Sequence, residues 1–206
     1  GVGHVRAASA GTPKDIPDPH PFTRHLAGKT WALAHNGYIS KPALKTLINA
    51  RDPNYLSENP PNVGDWNVED SYVDSDLYMA YVMLCIEQSN WDVLTALAIV
   101  ANTVPSGIGN IILTDGTTIW AFANGQTLTY YYQATSPTYA VVASQKPDPT
   151  QAGWTSMSAY NLVILTRNNA PILTSDIRQF NLLVDATLDA SADSTALRAD
   201  GTGQDW

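Results

Sequence analysis

The spacing of apolar residues changes period at Pro105-Ser106-Gly107, and that change limits the fold more than any other feature of the chain. Upstream, Leu77, Tyr81, Leu84, Cys85 and Ile86 within Ser75–Gln88 recur at helical spacing, as do Leu94, Leu97, Ala98 and Ala101 within Trp91–Val104. Two helices are expected there, the second capped by Asn90. Downstream the period is two: Asn110–Thr114, Thr117–Ala123, Thr127–Gln133, Tyr139–Ser144 and Asn161–Arg167 read as strands. Asp115-Gly116, Asn124-Gly125 and Pro/Asp clusters separate them, which is the pattern of antiparallel hairpins. Near the start, Val2–Ala7 and Thr30–Ala34 read as strands on either side of Thr12–His25, whose four prolines make it a loop. Ser40 is a suitable N-cap for a further helix through Ile48, with Pro42 in its first turn and Leu44, Leu47 and Ile48 on one face. Arg51–Asp70 then forms a polar insertion, a surface excursion or a flap. Strands, helices and again strands predict an α+β layered domain.

Size and charge exclude several functions. With 206 residues, 44% of them hydrophobic, the chain is long enough for one domain with a real core. Its formal net charge is −8, and its 11 Lys and Arg residues are scattered, so no basic stripe exists to neutralise a nucleic-acid backbone. No run of 18 apolar residues and no signal-peptide pattern occurs, which predicts no membrane association and a cytoplasmic location. The single cysteine, Cys85, excludes an intramolecular disulfide and lies in an apolar run suited to a buried structural thiol. Acidity gathers at the end: from Ser175 onward six Asp face only Arg178 and Arg198, so residues 171–206 are expected to form an acidic extension. Within it Phe180–Val184 is apolar enough to dock as an edge strand or against a partner.

The motif richest in chemistry is Trp31-Ala32-Leu33-Ala34-His35-Asn36-Gly37, an apolar strand running into Asn-Gly. Asn-Gly is the commonest two-residue hairpin turn, but a carboxamide beside a glycine N–H is also a ready pair of donors for a developing oxyanion. Gly3-His4-Val5-Arg6-Ala7-Ala8-Ser9-Ala10-Gly11 and Pro19-His20-Pro21-Phe22 precede it, and Asp74-Ser75-Asp76 follows at the head of a helix. The ordered set resembles the glutaminase domain of the class II glutamine amidotransferases, which are N-terminal-nucleophile hydrolases, in their small stand-alone branch. Asn110–Gly116, Ala140–Ser144 and Trp154 look like later strands of that family, so the resemblance covers about residues 1–165 and a domain of 1–170 is expected.

The resemblance implies a four-layer αββα sandwich, lacking its first strands in this chain, and a substrate that is glutamine or another γ-glutamyl amide. It places Arg6 on the substrate's α-carboxylate, a task suited to the planar guanidinium fork, with Ser9 as a small hydroxyl nearby and Asp74 on the α-ammonium. Asn36 and Gly37 take the oxyanion role. Plain structural readings stand beside these: a surface salt bridge for Arg6, and a helix cap for Asp74 or Ser75. Family members begin with a catalytic Cys whose own α-amine is the base, whereas residue 1 here is Gly. The expectation is therefore a glutaminase part completed by an N-terminal Cys-bearing fragment or subunit. The alternatives are a non-catalytic interaction protein on the same scaffold and a γ-glutamyl peptide amidohydrolase. Ala10 stands where many relatives carry His, and Ala7 replaces an aromatic residue, which affects the fit of the substrate.

No cofactor or metal is expected. His4, His20, His25 and His35 are spaced by 16, 5 and 10 residues, share no helical face and have no Cys neighbours. His20 and His35 are expected to support loop geometry by hydrogen bonding. Neither a G-x-x-x-x-G-K loop nor a G-x-S-x-G elbow occurs, so nucleotide binding and Ser-His-Asp hydrolysis lack sequence support.

Overall fold

A computed structural model describes residues 20–104, 109–148, 150–167 and 169–180. Its elements run β1 (Phe22–Leu26), β2 (Lys29–Gly37), α1 (Lys41–Arg51), α2 (Tyr55–Glu58), α3 (Asp74–Gln88), α4 (Val93–Thr103), β3 (Gly109–Thr114), β4 (Thr118–Phe122), β5 (Thr129–Gln133), β6 (Tyr139–Ala143), β7 (Thr155–Ser156), β8 (Leu162–Thr166) and β9 (Ile172–Thr174). Six strands form one antiparallel sheet in the order β1-β2-β3-β4-β8-β9, and β6-β5-β7 form a second.

Period-two burial on the large sheet creates two cores. Trp31, Leu33, Ile111, Leu113, Phe122 and Leu162 lie in the core shared with the helices. Their neighbours in sequence, Ala121 and Val163, join Leu128 and Met157 in a second cluster on the sheet's other face, where Tyr130 and Val142 of the small sheet also pack. Helices, large sheet and small sheet are thus stacked as layers. The architecture is the α+β sandwich expected from the sequence, with three layers among the described residues and the second helical layer of the expected αββα stack not among them.

Helix α3 departs from the one-faced helix read from its spacing. All residues from Ser75 to Ile86 are buried, because α1, α4, β1 and β2 pack around it. A helix apolar on every side belongs in the interior, and α3 is the axis of the helical layer. It ends in a Schellman motif: Trp91 N–H donates to Ile86 O at 2.9 Å and Asn90 N–H to Glu87 O at 3.1 Å, with Asn90 at φ 52°. Asn90 therefore closes α3 rather than opening α4. The cap of α4 is Asp92, whose carboxylate accepts from Leu94 N–H at 3.0 Å and Thr95 N–H at 3.4 Å.

Other boundaries differ from expectation as well. The proline loop ends earlier, since Phe22–Leu26 pairs with β2 from Phe22↔Leu33 to Leu26↔Lys29, beyond the last of the prolines. Ser40 caps α1 as expected, its hydroxyl accepting from Ala43 N–H. The insertion after α1 carries a helical turn, α2, and is pinned to α3 through Asn62 N–H, which donates to Asp76 Oδ2 at 2.9 Å. In the C-terminal part, Ile172–Thr174 pairs with β8, and Ile177 lies in the main core. Residues 1–19 and 181–206 lie outside the described residues, and with them the strand expected at Val2–Ala7 and most of the Phe180–Val184 segment.

Candidate functional site

Strand β2 delivers the Asn36-Gly37 corner, and its alternation explains how the corner is held. Trp31, Leu33 and His35 share the helix-facing side, so His35, 3% exposed, is driven into the core directly before Asn36. Its Nδ1 lies 2.9 Å from Ser75 Oγ and its ring meets Tyr78 edge-on at 5.2 Å. The His35 backbone N–H donates to His20 Nδ1 at 3.4 Å. Both histidines therefore support the corner by hydrogen bonding, as expected.

Asn36 and Gly37 do not form a hairpin turn. They are the last two residues of β2 and face Asn110 and Gly109 of β3 in register. Gly109 has φ +124°, and a Cβ there would lie 2.2 Å from Asn36 O and 2.5 Å from Gly37 Cα. Only glycine lets the two strands close at this point. Asn110 holds the next layer: its Oδ1 accepts from Asn124 N–H at 2.8 Å and its Nδ2 donates to Thr127 O at 2.9 Å. Gly109 N–H donates to Asn124 O at 3.1 Å. Asn124 itself is fully buried, and its carboxamide has no hydrogen-bond partner among the described residues.

Beyond the corner, Tyr38 is 72% exposed while Ile39 turns back into the core. Ile39 N–H donates to Asp74 Oδ2 at 2.9 Å. That bond ties the segment after Asn36-Gly37 to the first turn of α3, so two motifs 38 residues apart in sequence meet in space. Asp74 makes no side-chain capping bond to its own helix, whose N-cap is Val73. The capping alternative thus gives way to a carboxylate aimed at the corner loop, and its charge still suits the helix N-terminus. Ser75 does not cap either, being engaged with His35. The next side chain, Asp76, meets Arg24 Nη2 at 2.6 Å, with the two side chains only 3% and 11% exposed. Burial raises the Asp76 pKa, opposed by Arg24 and by the Asn62 N–H. Three successive side chains of α3 thereby bind the β2–α1 connection, β2, and β1 with the insertion.

Asn36 and Gly37 are exposed and Asp74, tied to the same loop, is half-buried, so an anion could meet amide donors at the corner and a cation could meet Asp74. Arg6 and Ser9 lie outside the described residues. Cys85 is fully buried eleven residues along α3 from Asp74, about 16 Å at the helical rise. Burial pushes its thiol up to about 11, against weaker lowering by Arg51 and Tyr81, so it is an inert core residue. Among the described residues no three His, Cys, Asp or Glu side chains gather as a metal site. Gly109, Asn110 and Asn124 support the corner without being recognisable as supports from the sequence: the adjacent Gly-Asn pair reads as an ordinary strand start until its partner strand is known.

The family of glutamine amidotransferases class-II matches residues 1–145. The chain belongs to that family. Among solved structures, this amidotransferase-family chain is similar to a predicted glutamine amidotransferase from Pseudomonas aeruginosa PA01, at 17% identity and a TM-score of 0.53 over 74% of this chain and 64% of that one. It is also similar to a glutamine phosphoribosylpyrophosphate amidotransferase from B. subtilis, at 15% identity and a TM-score of 0.52 over 84% of this chain and 34% of that one. At these identities the likeness establishes the fold. The chain spans just under two thirds of the first relative and about one third of the second. No curated protein matches it. No described helix is long and apolar enough to cross a membrane.

Proposed function

We propose that this chain carries the substrate-holding part of a glutamine amidohydrolase. Glutamine, or another γ-glutamyl amide, lies with its reacting carbonyl at the corner: Asn36 Nδ2 and Gly37 N–H stabilise the oxyanion. Asp74 holds the α-ammonium, Arg6 forks onto the α-carboxylate, and Ser9 supplies a small hydroxyl near the substrate. A Cys thiol from an N-terminal fragment or subunit supplies the nucleophile, attacks the amide carbon and releases ammonia, and water then frees the glutamate. Donors preset at the position of the developing charge contribute about 3–4 kcal/mol each to the transition state.

The observation that carries this reading is the Ile39 N–H to Asp74 Oδ2 bond of 2.9 Å, which sets the helix-leading carboxylate beside the Asn36-Gly37 corner. A scaffold that merely packed would have no need to keep an exposed amide pair and a carboxylate on adjoining loops. Calorimetric titration with L-glutamine tests it on the native protein, alongside an Arg6→Ala variant. Binding that weakens by about 1.5–3 kcal/mol in the variant is expected for a lost charged hydrogen bond. Absence of glutamine binding in the native material, with any companion fragment present, would refute it. Intact-mass analysis of that material identifies the Cys-bearing piece; recovery of only the 206-residue species would count against its existence.

A further inference from the structure

A recess lies at the opposite end of β2 from Asn36. Trp31 stands five residues before the corner, about 17 Å along an extended strand, so the two places are separate. The recess is a cavity of about 480 Å³ where the β1–β2 turn, the β3–β4 turn and the α3–α4 connection converge, within the size range of small-molecule sites. Its walls include Trp31, Trp91 and Trp120. The Trp31 and Trp91 rings are 6.2 Å apart at 25°, and Trp31 and Trp120 are 6.0 Å apart at 23°. Trp31 thus has both neighbouring indoles within 25° of its plane, and the most accessible of the three is Trp91, 39% exposed. That exposure is built into the backbone. Asn90 closes α3 in the left-handed region, and Trp91 follows in the same region at φ 66°, a conformation that bulky residues rarely adopt.

The polar groups of the recess have a definite sign. Asp115 is 8% exposed, and its acceptors are already engaged by Lys29 Nζ at 2.7 Å, Thr117 N–H at 3.0 Å, Thr117 Oγ1 at 2.8 Å and Thr118 N–H at 2.8 Å. Burial alone would raise its pKa, but those donors hold the carboxyl far below the usual range. It offers a ligand little accepting capacity. Lys29, by contrast, keeps hydrogens beyond the one given to Asp115, with its side chain 51% exposed. The recess is thus aromatic-walled, with Lys29 as its exposed donor, and Lys29 disfavours a cation.

We propose that this recess binds a flat heteroaromatic molecule whose ring edge carries hydrogen-bond acceptors. The exposed Trp91 ring offers a planar face for stacking, and Lys29 supplies the donor that fixes the ring edge. A hydroxyl-rich sugar would need acceptors that Asp115 no longer provides. A flat ring bearing only a donor would leave Lys29 unmatched.

Calorimetry on the intact protein tests this with three probes: 1,3,7-trimethylxanthine, which is flat with acceptors only; indole, flat with a donor only; and methyl β-D-glucopyranoside. The xanthine is expected to bind, and the other two to bind at least about tenfold more weakly. Trp91→Ala, an exposed-loop change checked for native folding by circular dichroism, should weaken xanthine binding about tenfold; Lys29→Met should weaken it as well. No xanthine binding up to its solubility limit, equal binding of indole or the glucoside, or affinity unchanged in Trp91→Ala would each overturn the proposal. Because Asn36 and Asp74 are not involved, failure here would leave the glutaminase reading untouched.

Discussion

Replacing Gly109 by alanine probes the corner through the backbone that supports it. Two effects add. The residue sits at φ +124°, where a Cβ is strained whatever the space, at a cost of about 1–2 kcal/mol. The new methyl would also fall 2.2 Å from Asn36 O and 2.5 Å from Gly37 Cα, both backbone atoms of a paired strand that cannot rotate away. Forcing β3 off β2 there adds about 1–3 kcal/mol of overpacking, for a total of about 2–5 kcal/mol. For a chain of this length that lowers Tm by about 4–20 °C. Gly116→Ala is the matched control, since Gly116 also has positive φ, +89°, yet a methyl added to it would meet nothing within 4 Å. It should show the strain alone. Urea unfolding of both variants by two probes gives the difference, expected to be about 1–3 kcal/mol in favour of Gly116→Ala. Equal costs, or a Gly109→Ala cost within about 0.5 kcal/mol of zero, would refute the close approach of β3 to the corner.

Arg24→Met leaves the Asp76 carboxylate buried without its guanidinium, and should cost about 3–5 kcal/mol in denaturant unfolding, with Arg24→Met/Asp76→Leu recovering much of the loss. An unaltered midpoint in the single variant would show the pair to be unimportant. Asp115 has a depressed folded pKa, so its stabilisation is present above the unfolded value near about 4 and is lost as pH falls through that region and below. The stability gap between wild type and Asp115→Asn should therefore narrow as pH drops from 7 towards 3; a constant gap contradicts the ionised, fully donated carboxylate. Cys85 should resist a thiol reagent at neutral pH in the folded protein and react at once in urea, and prompt labelling without denaturant would contradict its burial.

What can be read from the residues, and what cannot, divides along physical lines. Helices α1 and α4 and the hairpin strands follow from local period and turn chemistry, and the structure places them close to those positions. Encirclement of α3 does not follow, because its polar-looking first turn, Ser75 and Asp76, is buried only through His35 and Arg24, partners 40 and 52 residues away. The role of Asn90 differs from expectation for a related reason: an Asn between two helices satisfies either end, and only the Trp91 N–H to Ile86 O bond decides between them. At the corner, Asn36, Gly37 and Asp74 are recognisable as motifs. Their connection through Ile39 N–H is not, since a main-chain donor carries no mark in a sequence.

A crystal of this protein soaked with L-glutamate, the product of the proposed hydrolysis, would show whether the Asn36-Gly37 corner receives a glutamyl group. A γ-carboxylate oxygen is expected within hydrogen-bond reach, about 3 Å, of Asn36 Nδ2 and Gly37 N, with the α-ammonium against Asp74. Glutamate bound elsewhere, or a saturated crystal with none between Asn36 and Asp74, would show that the corner is not the glutamyl site.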